Sequence, residues 1–387
     1  MGLLKPDAGR PLVGTATAEA TTAYSKRQGQ AFDRGHYSDF RGGVKLSAIG
    51  LGTFPGAATD ATDQALAEIV FRGITSGLNV IDTAAHYRYG RSLFAIAEGL
   101  KRAVAAGIDR RALWLMSKGG FVSFSGSAPP DPKAYVQTEI IDKGLASAAD
   151  CAGLHVLSRP YIRAQIDLSR KALGVETLDA FLIDQPEVHI PVFGKAALIA
   201  KLGEIFVELE QAVKDGAINH YGVSSFHAFR VPTNDALFIS LTSLIALAEK
   251  AAKEIAGHER DHHLALVELP FNAVMLDGFS RFNQITGEGS EASTLQAALQ
   301  LKLYTIASHG LFKGHLAHQG VDILTQAMPR FANNAQRALQ FNRSTPGLGT
   351  TLVGISTPAH LDDVLAVARS PLLSHQSYMA LYDRTDD

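Results

Sequence analysis

One cysteine, Cys151, occurs in 387 residues. A lone thiol excludes an intramolecular disulfide and leaves too little sulfur for a thiolate metal site, which fits a reducing compartment and sets the expectation of a cytoplasmic protein. Charge of one sign is also lacking. A net charge of −2 gives no bulk attraction to nucleic acid, so none is expected as a partner. No apolar run approaches the roughly 20 residues that span a bilayer. The stretch MGLLKPDAGRPLVGTATAEA carries Lys5, Asp7 and Arg10 where a signal peptide would need its apolar core, so neither export nor membrane insertion is expected. MGLLKP lacks the Ser/Thr of a myristoylation signal, and YDRTDD carries no lipidation box. What remains is an ordinary globular composition, 46% hydrophobic and 19% charged, with enough apolar residues for a large core.

Residues 1 to 43 show no sustained period and are read as an N-terminal extension; patterned chain occupies 44–387. There, apolar runs of strand length alternate with longer segments of helical period. VKLSAIGLGTF, LNVIDTAA, ALWLMSKGG, LDAFLID, INHYGVSS, LALVELPFN, LYTIASHG and TLVGIS read as strands, and the segments between and after them read as helices. Gly77, Gly107, Gly174, Gly216 and Gly257 fall where helices should close through a left-handed residue. Eight strand and helix pairs predict an α/β fold of the closed (β/α)8 TIM-barrel kind. The first strand-to-helix turn, GLGTFPGAATDAT, lacks the Gly-x-Gly-x-x-Gly spacing of an open dinucleotide fold, and no phosphate loop occurs.

In such a barrel the C-terminal ends of the strands form one face, so polar residues distant in sequence converge there. The second strand ends in Asp82 and Thr83, with Tyr87 following; the third in Ser117 and Lys118; the fourth in Asp184, Gln185 and Glu187. The fifth ends in Ser224, Ser225 and Phe226, the sixth in Glu268, Phe271 and Asn272, the seventh in Ser308 and His309, and the eighth in Gly354 and Ser356. Lys118, after the apolar ALWLM, needs an acid partner if buried, and Asp82 on the neighbouring strand is the expected one. A Tyr beside that pair would have its phenolate stabilised by the ammonium, lowering its pKa towards that of a working general acid. Tyr87 is placed for this, with Tyr89 as a more distant competitor. The alternative is a structural Asp82–Lys118 pair with Tyr87 packed over it.

The motifs GLGTF, VIDTAAHY, MSKGG, LGVETLDAFLIDQPE, GAINHYGVSSF, LPFN and LVGISTPAHLDDVLAV, in this order over residues 45 to 369, resemble the aldo-keto reductase family. The resemblance implies a (β/α)8 barrel that binds NADPH, less often NADH, across its top face and reduces a carbonyl group. It assigns Asp82, Tyr87 and Lys118 to the family's catalytic tetrad. The fourth member, a His ending the fourth strand, is replaced here by Asp184. An ionised carboxylate cannot donate to a carbonyl oxygen and repels an oxyanion. Asp184 is therefore expected to be a protonated donor, an ion-pair partner of Lys118, or a base for another reaction. Family members with Glu at this position look suited to reducing conjugated carbon–carbon double bonds, so altered specificity is expected.

The cofactor side departs as well. The resemblance places Ser224, Ser225 and Glu268 at the nicotinamide amide, with Phe271 nearby, and Ser308, Leu311, Gly354, Ser356, His360 and Asp363 along the rest of the dinucleotide. Glu268 stands where the family has Gln, and the Asn that holds adenine is missing. GISTPAHLDD contains no Lys or Arg for a 2'-phosphate, and Asp362 and Asp363 disfavour one, so the choice between NADP and NAD stays open. Those acids also read as ordinary charges in a helix's first turn.

His258, His262 and His263 resemble a metal cluster, but they fall in a helix-to-strand loop on the bottom face, so a solvated turn is expected and no metal. The long polar loop VSFSGSAPPDPKAY is a candidate lid over the site. His155 follows it and is expected to serve the loop fold, while His189 and His309 lie near strand ends as substitutes for the missing His. The resulting expectation is an NAD(P)H-dependent oxidoreductase acting on a small molecule. Two alternatives stay open: a non-redox lyase, isomerase or dehydratase on the same barrel, and a non-catalytic relative. The oligomeric state is not readable from the sequence.

Overall fold

The computed structural model describes residues 10–28, 31–257, 261–286 and 289–382. Eight parallel strands close a barrel: β1 (Ile49–Gly52), β2 (Val80–Asp82), β3 (Trp114–Gly119), β4 (Leu178–Asp184), β5 (Ile218–Ser224), β6 (Leu264–Pro270), β7 (Tyr304–Ser308) and β8 (Thr350–Gly354). Each pairs with its neighbours in chain order, and β8 closes on β1. The helices that follow them are α1 (Asp60–Thr75), α2 (Arg91–Ala105), α3 (Arg159–Leu173), α4 (Lys195–Lys214), α5 (Leu241–Ala256), α6 (Thr294–Gln300), α7 (Asn334–Arg343) and α8 (Pro358–Ala368). All five helix-closing glycines have positive φ, between 67° and 109°, a region that costs a residue with Cβ but not glycine.

The strands are apolar on both sides because both sides are covered. On β4, Leu178, Phe181 and Ile183 belong to the layer shared with the helices, whereas Ala180 and Leu182 fill the barrel interior beside Val80, Met116, Leu266, Ile306 and Leu352. Alternation along a strand then fixes which residues reach the interior at the top. Asp82 follows Val80 by two, Lys118 follows Met116 by two, Asp184 follows Leu182 by two, and Glu268 follows Leu266 by two. All four are buried.

The run VKLSAIGLGTF, expected to be one strand, is two. Lys45–Ser47 pairs antiparallel with Tyr37–Asp39, and only Ile49–Gly52 enters the barrel. The separation has a physical cause at the barrel floor. Phe40, in the turn of that hairpin, plugs the bottom edge-on to Trp114, with centroids 4.6 Å apart, and lies within 5.6 Å of the Tyr304 ring. The boundary read between residues 43 and 44 falls in this turn. Before it, Leu12 forms a parallel bridge with Val175, a helix covers Ala18–Gln28, and the Ala16 amide donates to Asp179, which also pairs with Arg110 at 2.8 Å. Among the described residues no helix is long and apolar enough to cross a membrane.

Candidate active site

Lys118 is 1% exposed at the end of β3, where its ammonium would be costly without partners. It bonds Asp82 from β2 and lies 3.1 Å from Glu268 Oε2 from β6. It also donates to the Tyr87 hydroxyl at 3.4 Å. Tyr87 is carried by the turn after β2, whose next two residues, Arg88 and Tyr89, have φ of 51° and 59°. That unfavourable backbone is held by Arg88, which is buried against Asp63 in the first turn of α1 and donates to Ala57 O at 3.0 Å. Tyr89 is 38% exposed, so of the two tyrosines it is Tyr87 that joins the site.

The fourth strand completes the cluster. Asp184 is 5% exposed, and its Oδ2 lies 3.8 Å from His86 Nε2. Ser224 on β5 donates to Glu268 Oε1 at 3.2 Å. The ion pairs of Lys118 are with Asp82 and Glu268, so the expectation of an Asp184–Lys118 pair gives way to Glu268 in that place.

One ammonium therefore stands among three buried carboxyl groups, and the proton equilibria follow. Burial pushes Asp82 up to about 8, against the pull of Lys118, with Glu268 adding to the rise. Burial likewise pushes Asp184 up to about 7, Lys118 opposing and Glu268 and Glu187 assisting. Burial works against the Lys118 charge, but Asp82, Glu268, Tyr87 and Asp184 outweigh it and hold the ammonium well above its ordinary range. The expectation for Tyr87 is reversed. Burial raises its pKa against the lowering effect of Lys118, with Asp82, Asp184 and Glu268 adding to the rise, so Tyr87 is held as a phenol.

The cofactor-side residues divide into two groups. Phe271 is fully buried and stacks on Phe341 of α7 at 6.2 Å, facing the helix layer instead of the pocket, because it continues the alternation of β6 that puts Val267 and Leu269 on that side and Leu266 and Glu268 inside. Ser225 is committed to Glu187 Oε1 at 2.7 Å and to the Ala228 amide, so it caps the turn after β5. Asp363 accepts from Asn333 and Gln336 at 2.9 and 2.8 Å and ties α8 to α7, while Asp362 pairs with Arg72 on α1; both acids have structural partners. In this structure Phe271, Ser225 and Asp363 are thus engaged with the protein's own framework. In contrast, Gly354, Ser356 and His360 are exposed around the start of α8, with Ser356 Oγ 3.1 Å from His360 Nδ1, and Ser308 and Leu311 are partly exposed after β7. The same β7 loop exposes Lys313, a cation that the sequence reading passed over although it lies two residues beyond Leu311.

The histidines sort by contact. His155 bonds the Asp184 backbone oxygen at 2.6 Å through Nε2 and His189 at 2.9 Å through Nδ1, fastening the loop of residues 120–158 to the end of β4. His189 is thereby occupied, and His309 sits beside Ser308 and edge-on to Phe226. His258 lies outside the described residues; His263 is partly exposed and bonds Glu210 Oε2 at 2.8 Å. The residue that joins Asp184 is His86, whose signal was available in AAHY as the imidazole next to Tyr87. Phe54, 59% exposed, lies edge-on to Tyr87 at 5.2 Å, and Phe121 lies 5.1 Å from His86, giving the mouth aromatic walls.

The aldo/keto reductase family model matches residues 48–233, the segment from β1 through the turn after β5 that contains Asp82, Tyr87, Lys118 and Asp184. A protein of Schizosaccharomyces pombe named as a voltage-gated potassium channel beta subunit is 23% identical over 84% of this chain and 86% of its own length. A 6-dehydroglucose reductase of Novosphingobium aromaticivorans is 28% identical over 48% of this chain and 49% of its own. An aldo/keto reductase from Klebsiella pneumoniae, solved with NADP and acetate, superimposes with a TM-score of 0.57 at 20% identity, covering 90% of this chain and 94% of that one. Over residues 48–233 the chain is similar to the aldo-keto reductase family, and its barrel has the fold of the solved aldo-keto reductases.

Proposed function

We propose that the protein is an NAD(P)H-dependent oxidoreductase that reduces a carbonyl group or a conjugated double bond of a small molecule. The observation that carries this reading is the contact of the Tyr87 hydroxyl with Lys118, 3.4 Å apart, with Lys118 anchored by Asp82. A nicotinamide, when bound, supplies hydride. Tyr87, kept as a phenol, gives its proton to the substrate oxygen, and the adjacent ammonium stabilises the phenolate left behind. Asp184 in its protonated form donates a second hydrogen bond to the same oxygen, a role its ionised form cannot fill.

The residues present fit a dinucleotide at both ends. Ser224 and Glu268 offer a hydroxyl and a carboxylate at the strand ends, and the exposed start of α8 presents Ser356 and His360. Lys313, exposed in the loop after β7, is a cation of the kind that GISTPAHLDD lacks. The crowding of Asp82, Asp184 and Glu268 also favours a second reading, a proton-transfer reaction without redox, recognised by turnover that leaves nicotinamide absorbance unchanged.

The test is a titration of the protein with NADPH and with NADH followed by the ligand's own fluorescence. Trp114 is a poor reporter because it lies at the barrel floor against Phe40. Saturable binding followed by nicotinamide oxidation with an aldehyde, ketone or enone is expected, with Asp184→His changing the preference among them. Absence of binding up to millimolar ligand sinks the redox reading, and unchanged preference and rate in Asp184→His removes the role given to Asp184.

A further inference from the structure

His86 and Asp184 approach each other from different strands at the mouth of the site. Their nearest atoms, Nε2 and Oδ2, are 3.8 Å apart, too far for a direct hydrogen bond. An oxygen placed about 2.8 Å from each fits between them, a normal hydrogen-bond distance on both sides. The imidazole is fixed for such a role: its ring packs edge-on to Tyr87 at 4.8 Å and against Phe121 at 5.1 Å. It is also only partly covered, with 19% of its side chain exposed. His86 Nδ1 is buried and has no hydrogen-bond partner among the described residues, so no neighbour fixes its tautomer.

We propose that His86 and Asp184 form one proton-linked donor site for the substrate oxygen. When Asp184 is protonated, the neutral imidazole keeps its single proton on Nδ1 and Asp184 Oδ2 donates to the oxygen; loss of the Asp184 proton to solvent is coupled to a change of tautomer that puts the imidazole proton on Nε2, which then donates to the same point. A donor is thus present in both states, and the carboxylate never faces the oxygen alone. The inference rests on the oxidoreductase reading for its catalytic consequence, but the pairing itself does not.

The other groups around the pair set the balance. Lys118 from β3 favours ionised Asp184 and disfavours a charged His86. Glu268 from β6 and Glu187 after β4 favour protonated Asp184, and Ser224 from β5 bonds its carboxylate. Tyr87 adjoins the imidazole, and His155 interacts with it from behind. Burial and Lys118 lower His86 to about 3, so the imidazole stays neutral while Asp184 titrates.

The pairing is tested by nitrogen NMR of histidine-labelled protein, with the His86 signals assigned by their loss in His86→Gln. A change of His86 tautomer between pH 6 and 8 is expected in the wild-type protein and its absence in Asp184→Asn. A His86 signal that is flat with pH, or one that behaves identically in Asp184→Asn, overturns the pairing whether or not turnover is ever observed. On the holoenzyme, His86→Leu should lower kcat/KM by at least about tenfold, with His86→Gln, which restores a donor, recovering most of it and NADPH binding within about twofold in both. Full activity in His86→Leu overturns the catalytic role even where the redox reading holds.

Discussion

Glu268 reaches from β6 to place Oε2 3.1 Å from the Lys118 ammonium, so the lysine that adjoins Tyr87 is shared between two carboxylates. The family pattern has an uncharged Gln in this place, and the change alters the site's field more than its shape. Glu268 raises Asp82, Asp184 and Tyr87 together.

Glu268→Gln keeps the side-chain length and removes the charge. Asp184 should then lose its proton at lower pH. In a His86→Leu background, where protonated Asp184 is the one donor of the pair, the fall of activity with rising pH should move down by about one unit on Glu268→Gln. A kcat/KM profile from pH 5 to 9 for His86→Leu with and without Glu268→Gln checks this. A limb that stays in place, or moves upward, contradicts the assignment.

Tyr87→Phe and Lys118→Met separate chemistry from structure. The Tyr87 hydroxyl has a single long contact to Lys118, so its loss should leave stability nearly unchanged while activity falls by about 10²- to 10⁴-fold. Removing the ammonium strands Asp82 and Glu268 in the interior, where breaking a buried pair costs about 3–5 kcal/mol, less whatever protonation of those acids recovers. Chemical denaturation beside the activity assay distinguishes the two. Equal loss of stability in both variants would mean that Tyr87 is mainly a packing residue.

The barrel and the cluster of Asp82, Lys118 and Tyr87 were legible because both rest on alternation. Once a strand is read as buried on both faces, a polar residue at its end is placed within one position. What the sequence hid lay in the chain after the strands stop: His86 lies four residues beyond β2 and turns inward. Phe271 was placed by resemblance, although alternation with Val267 and Leu269 puts it in the helix layer. The sign of the Tyr87 shift was hidden for a related reason. Lys118 and Tyr87 alone predict a lowered phenol; burial reverses the sign, with the three acids from β2, β4 and β6 adding to the rise.

Phe40 makes a prediction about the part of the chain read as an extension. It is 4% exposed and packs edge-on to Trp114, His220 and Tyr304. Phe40→Ala should cost about 3–5 kcal/mol, as for other large aromatics removed from a core. It should also shift the emission of Trp114, the one tryptophan in the chain, because water would then reach its floor-side face. A loss below about 1 kcal/mol, the range of surface substitutions, would mean that the hairpin is not part of the folding core.

The buried histidines predict how stability varies with acid. Burial is the first cause in each case: it lowers His36, His86 and His155 to about 3, and His189 and His220 to about 4. An unfolded histidine titrates near 6.5, so between about pH 4 and 6.5 the unfolded chain binds protons that the folded chain does not, and stability rises with pH across that window. Asp82 and Asp184 act oppositely. Their folded values of about 8 and about 7 lie above the unfolded carboxylate range, so the stability they contribute is present at low pH and is lost as pH climbs towards 8. Five groups against two make the histidines dominate at the acid end, whereas above 6.5 only the carboxylates still titrate. The melting temperature should therefore climb from pH 4.5 to about 6.5 and then decline gently to pH 8. Asp184→Asn, which removes one of the two groups opposing the histidines up to about pH 7, should steepen the acid limb and soften the onset of the decline. A melting temperature that falls steadily from pH 4.5 upward would show that these histidines carry protons in the folded protein.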